Sequence, residues 1–155
     1  MNKSKLTFSS VAALGALLVG NMPAHAAQNA LMPISGAAFV SEDNSPDIKH
    51  NVGAVINGGS VVRRVEASLG HTTGGTNNFT IYGQNTGAVL TCWIEAQAPD
   101  AGAKFWMAQT TANGLFSLPV NTSLGSGSFF YTVICDLPAA APVTSAMIWG
   151  VQPDR

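Results

Sequence analysis

Charged residues are scarce in this 155-residue sequence: Asp, Glu, Lys and Arg together make up only 10% of it. The sequence contains no basic stripe that could neutralise a phosphate backbone, which argues against a nucleic-acid partner. It also lacks a polybasic or amphipathic helical segment that could hold a membrane surface. A weakly charged surface repels its neighbours weakly and favours association or adhesion, although an ordinary secreted monomer fits the same composition.

Catalytic and metal-binding motifs are also missing. No G-x-S-x-G elbow is present, and His50 and His71 belong to no H-x-H or H-E-x-x-H pair. The acidic segment 42–47, with Glu42, Asp43 and Asp47, offers oxygen ligands for Ca²⁺ but lacks the EF-hand pattern, so a solvated turn is the preferred interpretation. We therefore expect no catalytic residue, no metal and no cofactor.

The first 26 residues have the three parts of a secretory signal peptide. Lys3 and Lys5 precede an apolar stretch at 11–20, and the small-x-small triplet Ala24-His25-Ala26 follows. The apolar stretch is roughly half of the ~20 residues that a membrane-spanning helix needs, so cleavage after Ala26 is favoured over an uncleaved anchor. We expect residues 27–155 to form a single bacterial domain, secreted or periplasmic, with no membrane insertion after signal cleavage.

The chain has only two cysteines, Cys92 and Cys135. An exported protein meets an oxidising environment, so a disulfide between them is the expected state. The chain-entropy model assigns such a bridge roughly 4 kcal/mol of stabilisation. A redox-active pair of free thiols is the alternative, and the lack of a C-x-x-C arrangement argues against it.

Helical periodicity is absent after Pro33, and Gly, Asn, Thr, Ser and Pro break the chain at about the 8-to-12-residue spacing of all-β proteins. The predicted strands are 36–41, 51–56, 61–69, 79–84, 88–97, 104–109, 115–120, 128–137 and 143–151, with a loop at 71–78 and a turn at 99–102. These strands predict an all-β, two-layer antiparallel sandwich of jelly-roll type. An up-and-down barrel is the alternative, and the pattern does not give the strand order.

Alternation assigns the faces of two of these strands. Every second residue of 88–97 from Ala88 through Cys92 is apolar, whereas Trp93 lies among polar residues on the other face. In 128–137, Cys135 shares its face with Phe129, Tyr131, Val133 and Leu137. Both cysteines are thus predicted to face the core, which suits a bridge within one sheet or between two.

The two cysteine-bearing segments also carry a recognisable pattern. The first segment reads LTCWIEAQ around Cys92, and the second contains Tyr131, Cys135, Leu137 and Pro138. This pattern resembles that of a broad group of small secreted bacterial β-sandwich proteins of unassigned function, well over 91–155 and loosely elsewhere. Members of the group often have further cysteines in the first half, which this chain lacks. The resemblance implies a β-sandwich and transfers no catalytic residue.

The three tryptophans, Trp93, Trp106 and Trp149, are the most suggestive binding residues. Trp93 and Trp106 belong to strands joined by a short turn, so they would form an apolar platform for sugars if both faced outward. The predicted ligand-binding residues are Trp93, Trp106, Glu95, Gln97, Lys104 and Gln109. A register change of one residue would separate the two rings, and packing under loops is the alternative role for them.

Three functions follow from these observations. The first is a secreted, non-enzymatic module that binds a glycan or a protein through exposed aromatic residues. The second is a self-associating structural subunit of a cell-surface or extracellular assembly, in which edge strands pair between copies or the segment after Ala26 is exchanged. The third, ranked last, is a small hydrolase that would use Glu66 and Glu95, whose predicted exposure already explains them.

Overall fold

The computed structural model describes residues 31–99, 102–140 and 145–154. The predicted signal peptide and its cleavage site therefore lie outside the described residues. The strands are β1 (Ile34–Ser35), β2 (Val40–Ser41), β3 (Ile48–Asn51), β4 (Ala54–Asn57), β5 (Arg63–Thr73), β6 (Thr76–Thr86), β7 (Leu90–Gln97), β8 (Ala103–Thr110), β9 (Asn113–Ser123), β10 (Ser128–Leu137) and β11 (Ala146–Asp154). A 3₁₀ turn spans Gly36–Ala38, and none of the described residues form a helix long and apolar enough to cross a membrane.

The strands form two antiparallel sheets. Sheet A has the order β2-β5-β10-β7-β8, and sheet B has the order β3-β4-β11-β6-β9, with β1 also paired to β11. Among the last eight strands, β4 pairs with β11, β5 with β10, β6 with β9 and β7 with β8. This nested pairing is that of one long hairpin folded over itself, which is the jelly-roll arrangement. The predicted jelly-roll-like sandwich with one disulfide is confirmed.

The core lies between the two sheets and is filled by alternate residues of each strand. On β7 and β10 the predicted faces are correct: Cys92 and Cys135 are completely buried, as is Tyr131. The two cysteines lie opposite each other on these neighbouring strands and are bridged. The disulfide therefore joins two strands of one sheet, a choice that alternation alone left open.

The first two predicted strands are partly wrong. Residues 36–38 form the 3₁₀ turn instead of a strand. The chain passes close to β11 here, since a Cβ on Gly36 would lie 2.2 Å from the Ile148 carbonyl oxygen. The predicted strand 51–56 is split into the hairpin of β3 and β4, which turns at Val52 and Gly53 with φ angles of 47° and 80°. Positive φ is unusual for a β-branched residue, so a turn at Val52 could not be predicted from its residue type.

The predicted loop at 71–78 is also wrong. Strand β5 continues to Thr73 and β6 begins at Thr76, so only Gly74 and Gly75 connect them. The chain crosses here from sheet A to sheet B. Gly75 has a φ of 131°, which glycine adopts without the steric cost that a side chain would bring.

Proline was expected to end each of the last two strands, and it does so in only one of them. Strand β10 ends at Leu137, immediately before Pro138, as predicted. Strand β11 was predicted to stop before Pro153 but continues to Asp154. Pro153 pairs with Phe79 of β6, whereas β1 and β4 pair with β11 only at earlier positions. Within the described part of the chain, no strand therefore lies beside Pro153 on the side opposite β6, and no hydrogen bond is lost there for want of an N–H.

Candidate functional site

The register of the β7–β8 hairpin separates the two candidate tryptophans. Trp93 pairs with Met107, and Trp106 pairs with Ile94, whose side chain is buried. Because directly paired residues share a face, Trp93 lies on the outer face of sheet A and Trp106 packs against the core. The predicted tryptophan platform is therefore wrong, because in this register the two rings lie on opposite faces of sheet A. A shift of β8 by one residue would be needed to bring them to the same face.

The other predicted site residues divide in the same way. Glu95, Gln97 and Gln109 lie on the outer face with Trp93, and Gln109 Nε2 donates a hydrogen bond of 2.9 Å to Thr91 Oγ1. Lys104 pairs with the buried residue Ala96 and lies on the Trp106 side, although its own side chain is exposed near the end of β8. Four of the six predicted residues thus share one face of sheet A, and ligand binding by any of them remains a prediction.

The apolar side chains on this outer face are those of Trp93, Phe105, Met107, Phe130 and Ile134, and we call this surface the aromatic face. Trp93 lies between Ile134 of β10 and Met107 of β8, and Glu95 pairs with Phe105. Phe105 and Met107 are 56% and 59% exposed, respectively. Sequence reasoning missed both residues, because it placed Trp106 and its alternate neighbours on the outside.

The surface of the aromatic face contains two neighbouring depressions. The first has a volume of about 210 Å³ and is lined by Arg64, Trp93, Phe105 and Ile134. The second has a volume of about 330 Å³ and is lined by Ala38, Val40, Glu66, Ala67, Ser68, Glu95 and Thr132. They adjoin, since Glu66 pairs with Ile134 across β5 and β10. An apolar floor therefore lies directly beside carboxylates and hydroxyls.

Arg64 is fixed at one end of the aromatic face. Its Nε donates to Asp136 Oδ1 over 2.8 Å, and its Nη2 donates to Asp136 Oδ2 over 3.1 Å. These hydrogen bonds are the main cause that raises the pKa of Arg64 above its usual value. The guanidinium carbon also lies 5.4 Å from the centre of the Trp93 ring, in a cation–π contact. Asp136 therefore holds a cation over the tryptophan and limits the freedom of both side chains.

The opposite end of the aromatic face carries a second aromatic contact. Phe130 is paired with His71 of β5, and the two ring centres lie 4.9 Å apart. His71, which the sequence placed in a loop, is thus part of a strand and extends the aromatic surface. This position arises because β5 continues three residues beyond Gly70.

The acidic segment 42–47 is bound by an arginine. The Nη1 of Arg63 lies 2.7 Å from Asp43 Oδ2, and its Nη2 lies 2.7 Å from Asp47 Oδ2. Asp43 also accepts hydrogen bonds from the Ser41 hydroxyl and the Ser45 amide, and the Ser41 bond is the largest cause that lowers the pKa of Asp43. The segment is thus an ion-paired turn, and the described residues contain no group of three His, Cys, Asp or Glu side chains arranged to hold a metal.

Glu66 and Glu95, the two carboxylates considered for hydrolysis, both line the second depression. They lie on β5 and β7, which are separated by β10. The depression opens on a sheet surface and has no enclosed cleft that would exclude water from a reacting bond. The arrangement is better suited to bonding hydroxyl groups than to cleaving a glycoside.

Comparison with known proteins adds little to these observations. No protein-family model and no curated protein sequence matches the chain. A solved structure with a similar chain trace is that of TmCBM61 in complex with β-1,4-galactotriose, which is 14% identical in sequence and has a TM-score of 0.45. The similarity covers 76% of this chain and 80% of that chain.

Proposed function

We propose that this protein is an exported, non-enzymatic binding module that holds a glycan on the aromatic face of sheet A. The observation that carries the proposal is an apolar group of half-buried Trp93 and exposed Phe105 and Met107, which lies beside the carboxylates of Glu66 and Glu95. The C–H faces of sugar rings stack on aromatic side chains, while carboxylates and hydroxyls bind the sugar hydroxyl groups. The aromatic face offers both kinds of contact within two adjoining depressions.

Rigidity of the underlying sheet supports this proposal. Trp93 follows Cys92 on β7, and Ile134 precedes Cys135 on β10, so the disulfide joins the two strands directly beneath the aromatic face. Arg64 and Asp136 hold the Trp93 ring from one side. A surface that is already ordered loses little conformational entropy when a ligand binds, which leaves more of the contact energy for affinity.

Export is part of the same proposal. Its support is the signal-like segment 1–26, together with the disulfide, since disulfides persist mainly in oxidising compartments outside the cytoplasm. Membership of the group of small secreted bacterial sandwich proteins also remains a proposal, supported by the segments around Cys92 and Cys135. A glycan ligand is consistent with that location, because cell-surface and environmental polysaccharides are encountered there.

The test is a glycan-array screen of the oxidised domain, followed by titration calorimetry with the best oligosaccharide. Phe105→Ala should weaken binding at least tenfold without changing the melting temperature, because Phe105 is exposed and lies on an edge strand. The matched control is Leu115→Ala, which removes an apolar side chain that is 71% exposed, more than Phe105, from an edge strand of sheet B. The proposal fails if no glycan binds, or if Phe105→Ala and Leu115→Ala have the same effect.

A further inference from the structure

The strands at the edges of the two sheets differ in their protection against pairing with another chain. Strand β2 has only two residues, and β3 has four, including Lys49 and His50. Strand β9 contains Pro119, which has no N–H to donate to an incoming strand. Short length, charge and proline are the usual means by which an edge is blocked. Among the described residues, the strands at the ends of the two sheet orders are β2, β8, β3 and β9, and all of them except β8 are short or contain proline.

Strand β8 is neither short nor interrupted by proline, and its single charged residue lies near its first residue. It is eight residues long, reads AKFWMAQT, and contains no proline, no glycine and only one charged residue, Lys104. Within the described ranges it pairs with β7 alone, so its other side presents free N–H and C=O groups. A long, nearly uncharged edge of this kind is a template for another strand.

We propose that β8 pairs antiparallel with β8 of a second copy of this chain, so that the two five-stranded sheets join into one continuous sheet. A two-fold axis perpendicular to the sheet would keep both aromatic faces on the same side. The pairing would also satisfy the free backbone groups of both edges at once, as isologous interfaces do.

The sequence of β8 selects the register of this pairing. With the axis at Trp106, Phe105 of each copy lies opposite Met107 of the other, so these apolar side chains pack side by side on the shared outer face. The two Lys104 side chains then stand at opposite ends, about 13 Å apart along the strands, which exceeds the screening length at physiological salt. An axis at Phe105 would bring these lysines to about 7 Å, and an axis at Met107 would place Phe105 opposite Gln109.

This assembly would double the proposed binding surface. The aromatic faces of the two copies would be adjacent across the shared β8 pair and would face the same direction. A polymeric ligand could then contact both faces, and the second contact would be intramolecular, which raises the overall affinity. The pairing uses the edge of the sheet and leaves its outer face open.

The first test is sedimentation velocity of the oxidised domain over a hundredfold concentration range. The wild-type protein should shift from monomer to dimer. Met107→Lys should raise the dimer dissociation constant at least tenfold, because it places two new charges about 7 Å apart across the axis. Leu115→Lys, an equal change on the proline-containing edge strand, should leave the dimer unchanged. A wild-type protein that stays monomeric, or equal effects of the two lysines, would overturn the proposal.

The second test examines the register by cross-linking. Directly opposite residues of an antiparallel pair have Cα atoms about 4.5–5.5 Å apart, a distance that a disulfide can span. A mixture of Phe105→Cys and Met107→Cys proteins should therefore form mixed disulfide dimers in larger yield than either protein alone, as measured by intact mass. Equal yields from the mixture and from the separate proteins would contradict the register. Neither test requires a glycan, so the result is independent of the binding proposal.

Discussion

Asn57 shows how one buried polar side chain can connect distant parts of the chain. Its Nδ2 donates to the carbonyl oxygens of Val61, Leu137 and Pro138 over 2.7, 3.2 and 3.0 Å, and its Oδ1 accepts from the Gly59 amide over 2.9 Å. An amide is needed here, since the position both donates and accepts. The sequence Asn57-Gly58-Gly59 predicts the turn, but the bonds to the end of β10 depend on the tertiary fold and leave no local signal.

Tyr131 makes the stability of the protein depend on pH in the alkaline range. Its side chain is completely buried, its hydroxyl accepts a hydrogen bond of 2.9 Å from Asn77 Nδ2, and burial is the main cause that raises its pKa. As the pH rises above about 10, the unfolded chain loses the phenolic proton before the folded protein does. The free energy of unfolding should therefore be unaffected by this group below pH 10 and should fall above it.

The corresponding variant is Tyr131→Phe. It should lower the free energy of unfolding by about 1 kcal/mol at pH 8, since Asn77 loses an acceptor. Guanidinium unfolding at pH 8 and pH 11 should show a smaller alkaline loss for this variant than for the wild type. Tyr82→Phe, which removes an exposed hydroxyl, is the control and should keep the wild-type loss. An equal alkaline loss in Tyr131→Phe would mean that another group causes it.

At the scale of strands and turns, alternation located the strands but not all of their ends. The segment HTTGGTNN was assigned to a loop because of its composition, yet its last residues pair with β9 from Asn121 to Ser123. The polar residues of this segment belong to the ends of two long strands, but their composition is typical of a loop. The true turn, Gly74-Gly75, is recognisable only as a pair of glycines inside that polar stretch.

The β5–β6 turn gives a prediction at the same scale. A Cβ on Gly74 would lie 1.7 Å from the carbonyl oxygen of Gly125, in the β9–β10 connection. Gly74→Ala must therefore move one connection away from the other, and we expect it to lower the free energy of unfolding by about 2 kcal/mol. Gly125→Ala is the matched control, because a Cβ there has no atom within 4 Å. Urea unfolding that gives equal stabilities for the two variants would contradict a close approach.

The composition of β8 explains why the candidate site was only partly predicted. Its two faces carry Phe105 and Met107 on one side and Trp106 and Ala108 on the other, so both are apolar and alternation cannot assign them. On β7 the contrast between faces is clear, and the placement of Trp93 and Glu95 was correct. The facing of an edge strand is set by its register with the neighbouring strand, which depends on the hairpin turn as well as on the side chains.

At the scale of the whole molecule, the sandwich could be predicted but its strand order could not. The number of short strands and the two inward cysteines are local properties and already predict two layers. The nested pairing of β4 to β11 depends on contacts between segments far apart in the sequence, such as Val55 with Ile148. The one long-range contact available from the sequence was the disulfide, which correctly places β7 near β10.

The disulfide should stabilise the whole domain without being needed for the shape of the aromatic face. Cys92 and Cys135 are 43 residues apart in sequence, so the bridge restricts a large part of the unfolded chain. The double variant Cys92→Ala/Cys135→Ala should lower the free energy of unfolding by roughly 4 kcal/mol in urea titrations. In the folded state, β7 and β10 are also held together by seven residue pairs in continuous register, from Phe130 to Asp136 of β10.

Backbone pairing alone should therefore keep Trp93 and Ile134 side by side in the double variant. Under native conditions we expect its affinity for the glycan identified in the array to change less than threefold, although its unfolding midpoint is much lower. A tenfold loss of affinity in a protein that is still folded would mean that the bridge itself positions the aromatic face. A stability loss below about 1 kcal/mol would instead mean that the unfolded chain is already compact around these strands, since the loop-closure term would then be largely absent.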